Sequence, residues 1–218
     1  MCNFLKQVVS FIVFLWSKVY SYNLIEKKNK LRNAIYTLWI RNFLGGLGKS
    51  SYIGYPCILW GRGSYNITIG SGTFIQEHCV LGCWIKYGEQ FFTPSIIIGN
   101  NCNIGQYSHI SAIDKIYIGD DLLTGRYVYI GDNSHGGLSW EESKIPPISR
   151  KLKSKGEVVI GNNVWIGDKA TILPGVTIGD NVIIGANSVV TKSIPSNTLV
   201  AGVPARIIKQ LDICQNQD

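Results

Sequence analysis

The segment I-G-N-N-V-W-I-G-D-K-A-T-I-L-P-G-V-T-I-G-D-N-V-I-I-G-A-N-S-V-V-T-K-S-I-P, residues 160–195, repeats itself every six residues. An aliphatic residue opens each block: Ile160, Ile166, Ile172, Ile178, Ile184 and Val190. Gly stands second in four of the six blocks, and a small or β-branched residue usually stands fifth. Neither a helix of roughly 3.6 residues per turn nor a simple in-out strand alternation has this period. Fixed-period self-similarity marks a solenoid, whose units bury their apolar faces only against their neighbours. Three blocks would make one coil of a triangular prism, with the opening aliphatic residue pointing inward and successive coils stacked as parallel sheets. The second-place Gly is expected at a tight corner, in backbone angles closed to other residues.

Working outward, the same phase recurs at Ile69, Ile75 and Leu81, at Ile98, Ile104 and Ile110, and at Ile118, Thr124 and Ile130. The step from Ile98 to Ile118 is 20 instead of 18, so two residues must bulge there. Five or six coils fit, which gives one elongated all-β domain. A single large break is expected, between Ile130 and Ile160, where G-D-N-S-H-G-G-L-S-W-E-E-S-K-I-P-P-I-S-R-K-L-K-S-K-G-E departs from the repeat. Long excursions from rigid scaffolds usually carry function. The domain layout read from these patterns is a helical segment at 1–50, a solenoid at 51–204 with an excursion at 132–157, and a C-terminal helix and tail at 205–218.

Charge divides the 218-residue chain sharply. Residues 1–50 hold eight Lys/Arg against one acid, Glu26, whereas residues 51–218 hold thirteen of each sign. The whole net charge of +7 therefore belongs to the N-terminal segment. A neutral solenoid offers no basic face, which argues against nucleic acid as a partner. The six cysteines show no C-x-x-C pair or disulfide spacing, and Cys79 and Cys102 fall at fifth places, where a small packed side chain belongs. Reduced, packed thiols fit a cytoplasmic protein.

Residues 4–20 are strongly apolar, but only residues 7–17 are free of charge, well short of the roughly 20 a spanning helix needs. A second helical stretch, about 29–44, should stop at Gly45-Gly46. Two readings stay open and are compatible. These helices cap an open end of the solenoid, or they bind the anionic inner face of the cell membrane peripherally through Lys/Arg, Trp and Phe. A cleaved signal peptide fits less well, because the apolar core is short and a single Lys precedes it.

The runs I-G-N-N-V-W-I-G (160–167), I-L-P-G-V-T-I-G-D-N (172–181), I-G-A-N-S-V-V-T-K (184–192) and A-G-V-P-A-R-I-I (201–208) resemble the hexapeptide-repeat acyltransferases of the left-handed parallel β-helix fold. The resembling branch holds the maltose, galactoside and nodulation-factor O-acetyltransferases and those of capsule and O-antigen gene clusters; the N-S-H-G-G turn resembles the polysaccharide members. The left-handed winding is implied by this resemblance alone. The resemblance also implies acetyl-CoA as donor with no metal, a sugar hydroxyl of a surface-polysaccharide precursor as acceptor, and a homotrimer with sites between subunits. It implies His135 as general base and the backbone N–H of Asp168 as oxyanion donor. Trp165, Ala186, Thr191, Lys192, Arg206 and Lys209 match positions lining the CoA groove. Lys209 stands where the galactoside branch has Arg, and Ser111 where the sugar branch has an acceptor-binding Asn, so the acceptor itself stays open. Asp132, Asn133 and Glu142 are the candidates to orient His135, and Glu142 stands with Ser111 on the acceptor side. Arg150, Lys151, Lys153 and Lys155 form a basic run that either meets anionic substrate or is simply solvated. The rival readings are transfer to an antibiotic or other xenobiotic hydroxyl, and a binding solenoid without catalysis. A zinc site like that of the γ-type carbonic anhydrases fits poorly, because neither His78 nor His109 has a second His close behind it.

Overall fold

In the computed structural model, which describes residues 3–211, the hexapeptides wind into a three-faced prism. The first face stacks six parallel strands, Gly46–Leu47, Ile67–Ile69, Ser95–Ile98, Lys115–Ile118, Val158–Ile160 and Thr177–Ile178. The second runs from Tyr52–Ile53 to Ile183–Ile184 and Thr198–Gly202, and the third from Ile58–Trp60 to Val189–Val190. In register, Ile69 pairs with Ile98, Ile98 with Ile118, Ile118 with Ile160 and Ile160 with Ile178. The six block-opening residues of 160–190 are at most 1% exposed. Each ladder removes apolar side chains from water and packs them into one core with the other two faces and the coils above and below. Thr124 is the polar member, and its hydroxyl accepts from Gly105 N–H (2.8 Å) and donates to Gly125 O (3.0 Å).

The corners work differently from the sequence expectation. Positive φ falls on the fourth residue of the hexapeptide: Asn101, Tyr107, Asp121, Tyr127, Asn163, Lys169, Asn181 and Asn187 all lie between 54° and 61°. Asn tolerates this left-handed region better than most residues. The second-place Gly is required for a separate reason, the close stacking of coils. A Cβ on Gly161 would sit 2.5 Å from Asp180 Oδ1, and one on Gly167 would sit 2.5 Å from Ala186 N.

The third place carries a hydrogen-bond ladder along the corner between the first and second faces. Asn100 Oδ1 accepts from Ser71 N–H (2.8 Å), Asp120 Oδ1 from Asn100 N–H (2.7 Å), Asn162 Oδ1 from Asp120 N–H (2.9 Å) and Asp180 Oδ1 from Asn162 N–H (2.6 Å).

Two helices precede the prism, α1 (Asn3–Val19) and α2 (Tyr22–Ile40). The second begins well before residue 29, because Ser21 caps it by accepting from Leu24 N–H (3.4 Å). α2 covers the exposed edge of the first coil. Thr37 Oγ1 accepts from Ile53 N–H (3.0 Å), Asn33 Oδ1 from Tyr55 N–H (3.1 Å) and Tyr36 OH from Cys57 N–H (3.1 Å). The capping reading therefore holds for α2. At the other end the expected C-terminal helix is absent among the described residues. Ala205–Gln210 is a strand that turns back antiparallel on Thr198–Gly202, and residues 212–218 lie outside the described part. β-branched Ile207 and Ile208 and the open edge of Thr198–Gly202 favour pairing over a helix there.

Cys57, Cys79, Cys83 and Cys102 are free thiols buried in the prism. Burial pushes the Cys79 thiol up to about 11 and that of Cys83 to about 12, which suits packing better than nucleophilic chemistry.

Candidate active site

The regular repeat is interrupted more than once, and always at the corner where the third face hands over to the first. After a step of 10 from Leu59 to Ile69 in the first coil, three more follow: Leu81 to Ile98 is a step of 17, Ile110 to Ile118 a step of 8, and Ile130 to Ile160 a step of 30. Sequence reading recognised the last two and passed over the others, although the 10- and 17-residue steps were there to be counted. The 17-residue interruption is a hairpin, Lys86–Tyr87 paired antiparallel with Gln90–Phe91 across Gly88 (φ 56°).

The three later interruptions stack into one wall. Asn133–His135 pairs antiparallel with Leu152–Ser154, which folds the long excursion back over itself. Gln90 ties the hairpin to this ribbon, donating to Leu152 O (3.1 Å) and accepting from Leu152 N–H (2.7 Å). Asp132, fully buried, takes the two bulged residues in hand by accepting from Ile113 N–H (2.9 Å) and Asp114 N–H (2.8 Å). Burial pushes its carboxyl above the ordinary carboxylate range, against the pull of these donors. Asn133 Nδ2 donates to Ser111 O (3.1 Å) and to Asp132 Oδ1 (3.1 Å). Glu142 closes the next turn, where its Oε2 accepts from Gly137 N–H (2.7 Å) and its Oε1 pairs with Lys153 Nζ (2.5 Å). The Lys153 ammonium, with the Gly137 N–H, holds that carboxyl below its usual range.

These contacts correct the expected orientation of His135. None of Asp132, Asn133 and Glu142 meets its ring; all three hold the backbone of the wall. The imidazole is instead met by Tyr87, whose hydroxyl lies 3.3 Å from Nδ1 with the rings edge to face at 5.3 Å. That hydroxyl donates its single hydrogen to Ile148 O (2.6 Å). It can then only accept from the imidazole, which in the neutral ring selects the tautomer with the proton on Nδ1 and the lone pair on Nε2. His135 itself is exposed. Ser111 is only 5% exposed and is covered by Asn133. Tyr87, Gln90, Ile148, Arg150 and Lys151 line a cleft of about 510 Å³ beside this pair, so two members of the basic run face it. Lys153 is spent on Glu142.

A second cleft, about 480 Å³, brings together Trp165, Asp168 and Ala186 with Leu199 on the second face and its corner with the third. Arg126 N–H is capped by Asp168 Oδ1 (2.8 Å). The ladder then stops, because Ala186 stands in the next coil and offers no side-chain acceptor. Among the described residues nothing accepts from the Asp168 N–H, so a backbone donor faces this cleft unspent. A smaller hollow of about 230 Å³ shares Ile183 and Leu199 with it and extends the groove to Lys209. Arg206 is exposed on the returning strand opposite Ala201, and Thr191 and Lys192 are exposed past the end of the third face. No residue lines both the Tyr87 cleft and the Trp165 cleft. They occupy two different corners of the prism. Among the described residues no three His, Cys, Asp or Glu side chains cluster as a metal would require.

Comparison with known proteins gives this arrangement a family. A family model described as bacterial transferase hexapeptide (six repeats) matches residues 157–192, and one described as hexapeptide repeat of succinyl-transferase matches residues 95–121. The putative lipopolysaccharide biosynthesis O-acetyl transferase WbbJ of Escherichia coli K12 is 39% identical over 162 residues, 72% of this chain and 78% of that protein. The chain belongs to the hexapeptide-repeat acetyltransferases. A solved maltose O-acetyltransferase from Clostridium difficile 630 is 31% identical with a TM-score of 0.52, over 79% of this chain and 73% of that one. AntD, an N-acyltransferase from Bacillus cereus solved with dTDP and coenzyme A, is 25% identical with a TM-score of 0.62, over 78% and 85% of the two chains. Like other hexapeptide-repeat acetyltransferases the chain is a left-handed parallel β-helix, an exception to the right-handed crossover rule, and it is an O-acetyltransferase.

Proposed function

We propose that this acetyltransferase moves an acetyl group from acetyl-CoA to a sugar hydroxyl of a surface-polysaccharide precursor, with His135 Nε2 as general base. The observation that carries the reading is the Tyr87 contact, which takes up Nδ1–H and so leaves Nε2 as the acceptor of the neutral imidazole. The acceptor oxygen attacks the thioester carbon as its proton passes to Nε2. The tetrahedral oxyanion is met by the unspent Asp168 N–H, and collapse breaks the C–S bond. The departing thiolate takes the proton back from Nε2, so CoA leaves as the thiol and no acyl-enzyme forms.

Trp165 and Ala186 line the groove for the pantetheine arm, and Lys192, Arg206 and Lys209, with Thr191 beside them, meet the phosphates as cations paired with oxyanions. The base and the oxyanion donor lie at different corners of one chain, so the complete site takes one from each of two neighbouring subunits. This accords with the homotrimer of three such sites that the family resemblance implies. Support for a glycan acceptor comes from WbbJ, whose name joins lipopolysaccharide biosynthesis to O-acetyl transfer. Support for the donor comes from AntD, solved with coenzyme A. Four free buried thiols accord with a cytoplasmic reaction.

The test is calorimetric titration with acetyl-CoA followed by turnover assays on candidate sugars. One saturable site per chain is expected. His135→Ala should keep that binding while kcat falls about 10²- to 10⁴-fold, the range for a positioned base. Unchanged turnover in His135→Ala would remove the base assignment, and no binding at millimolar acetyl-CoA would remove the donor.

A further inference from the structure

The capping helix α2 is built inside out. Two of its three buried residues, Asn33 and Thr37, are polar, and only Ile40 joins the apolar core. Leu24, Leu31, Ile35 and Leu38, at helical spacing on the opposite side, are 46–64% exposed. The polar interior follows from its task, since Asn33, Tyr36 and Thr37 must satisfy the open edge of the first coil. Nothing in that task calls for an apolar outer stripe.

α1 repeats the theme without any capping role. It has no buried residue. Asn3, Lys6, Gln7, Ser10, Ser17 and Lys18 fall within one third or so of its circumference at about 100° per residue, and Leu5, Val8, Ile12, Trp16 and Val19 fill the opposite side. Ile12 is 58% exposed and Trp16 is 67% exposed. α1 continues into the second helix through a bend of 45°; no single helix is long and apolar enough to cross a membrane, and only the bent pair taken together reaches that length and composition. Lys6, Lys18, Lys27, Lys28 and Arg41 surround these faces and meet no carboxylate among the described residues; only Lys30 does, with Glu26 at 3.2 Å.

We infer that α1 and the outer stripe of α2 dock on an anionic lipid surface, lying in its interface with the polar stripe outward. Charge decides this occupant over a second copy of the chain. The whole net charge of +7 lies within residues 1–50, so pairing two copies through these helices would bring like charges together, whereas an anionic leaflet neutralises them. Wide apolar faces rimmed by Lys/Arg bind membranes by apolar burial plus attraction to acidic headgroups. The inference stands apart from the catalytic reading. Joined to it, it would hold the enzyme where acceptors carried on lipid are found.

The experiment is flotation of the full-length protein with vesicles of phosphatidylethanolamine containing a minority of phosphatidylglycerol, compared with phosphatidylcholine alone. Binding is expected to the anionic vesicles and to weaken in high salt. Ile12→Glu and Ile35→Glu should each lower partitioning by at least about tenfold, the equivalent of one buried aliphatic side chain. Lys6→Gln with Lys18→Gln should lower it by about fivefold for each charge. Acetyl-CoA binding by the same variants should not change, which separates this test from the catalytic one. Failure to float would overturn the inference, as would flotation unchanged by Ile12→Glu and Ile35→Glu. An oligomer dissociated by Ile35→Glu, with no vesicle binding, would assign the stripe to another subunit and overturn it too.

Discussion

The last coils and the middle coils of this prism use the same inward residues and differ at one corner. From Val158 to Val190 every corner turns in a regular hexapeptide, and the outward groups are mostly spent on the coil above or below. From Val80 to Gly131 the corner between the third and first faces is opened three times, and the inserted backbone brings Tyr87, His135, Gln90 and Arg150 together. Repetition supplies rigidity and the Trp165 cleft, and interruption brings Tyr87 to His135. The sharpest break of that contrast is a pair of truncations. Ile166→Ala, at a fully buried rung between Thr124 and Ile184, should cost about 2–5 kcal/mol in urea unfolding. Leu138→Ala, at the wholly exposed tip of the excursion, should stay within about 0.5 kcal/mol. Equal losses would mean that the excursion is part of the fold's stability and not an addition to it.

The interrupted corner can be probed without disturbing the rungs. Tyr87→Phe keeps the ring edge against His135 and removes the hydroxyl that fixes its Nδ1–H. A single hydrogen bond of about 1 kcal/mol corresponds to roughly a fivefold fall in kcat, with acetyl-CoA affinity unmoved. A fall in donor affinity at constant kcat would show that Tyr87 shapes the cleft instead of the imidazole. Gln90, which bonds both backbone groups of Leu152, is a positioning residue for the same wall.

What the sequence made legible follows from the same division. The hexapeptide period is a property of the chain itself, so the inward ladders, a count of five or six coils and a two-residue bulge between Ile98 and Ile118 are read before any coordinates, and the structure places that bulge at Ile113–Asp114. The corner geometry was assigned to the wrong residue, because Gly is conspicuous at the second place while the left-handed angle sits on Asn and Lys two positions later. His135 was found through its motif. Its partner was not, since Tyr87 is 48 residues away and meets it only when coils stack. The Asp168 N–H illustrates the reverse case: a donor left over because Ala186 replaces a polar third-place residue is visible once the coil register is known, from sequence alone. The strand at Ala205–Gln210 takes its pairing from a tertiary edge, which the run A-R-I-I-K-Q by itself does not reveal.

One register position on the third face carries the contrast into pH dependence. Reading along it, Ile58, Val80, His109, Tyr129, Thr171 and Val189 occupy equivalent outward sites. The regular coils put Thr and Val there, whereas the interrupted ones put His109 between the edges of Trp60 (5.6 Å) and Tyr129 (5.5 Å). Its Nε2 is buried with no hydrogen-bond partner among the described residues, and burial lowers its pKa. The native protein therefore binds fewer protons at this site than the unfolded chain between the depressed pKa and the ordinary histidine value of about 6.5. Stability from this site is fully present above that ordinary value and is lost as pH falls toward the lowered one. Thermal unfolding of His109→Phe should accordingly show a shallower loss of Tm from pH 7 to pH 5 than the parent chain. An identical slope in both would mean that the imidazole is solvated in the native protein and that the interrupted coils carry no titrating strain on this face.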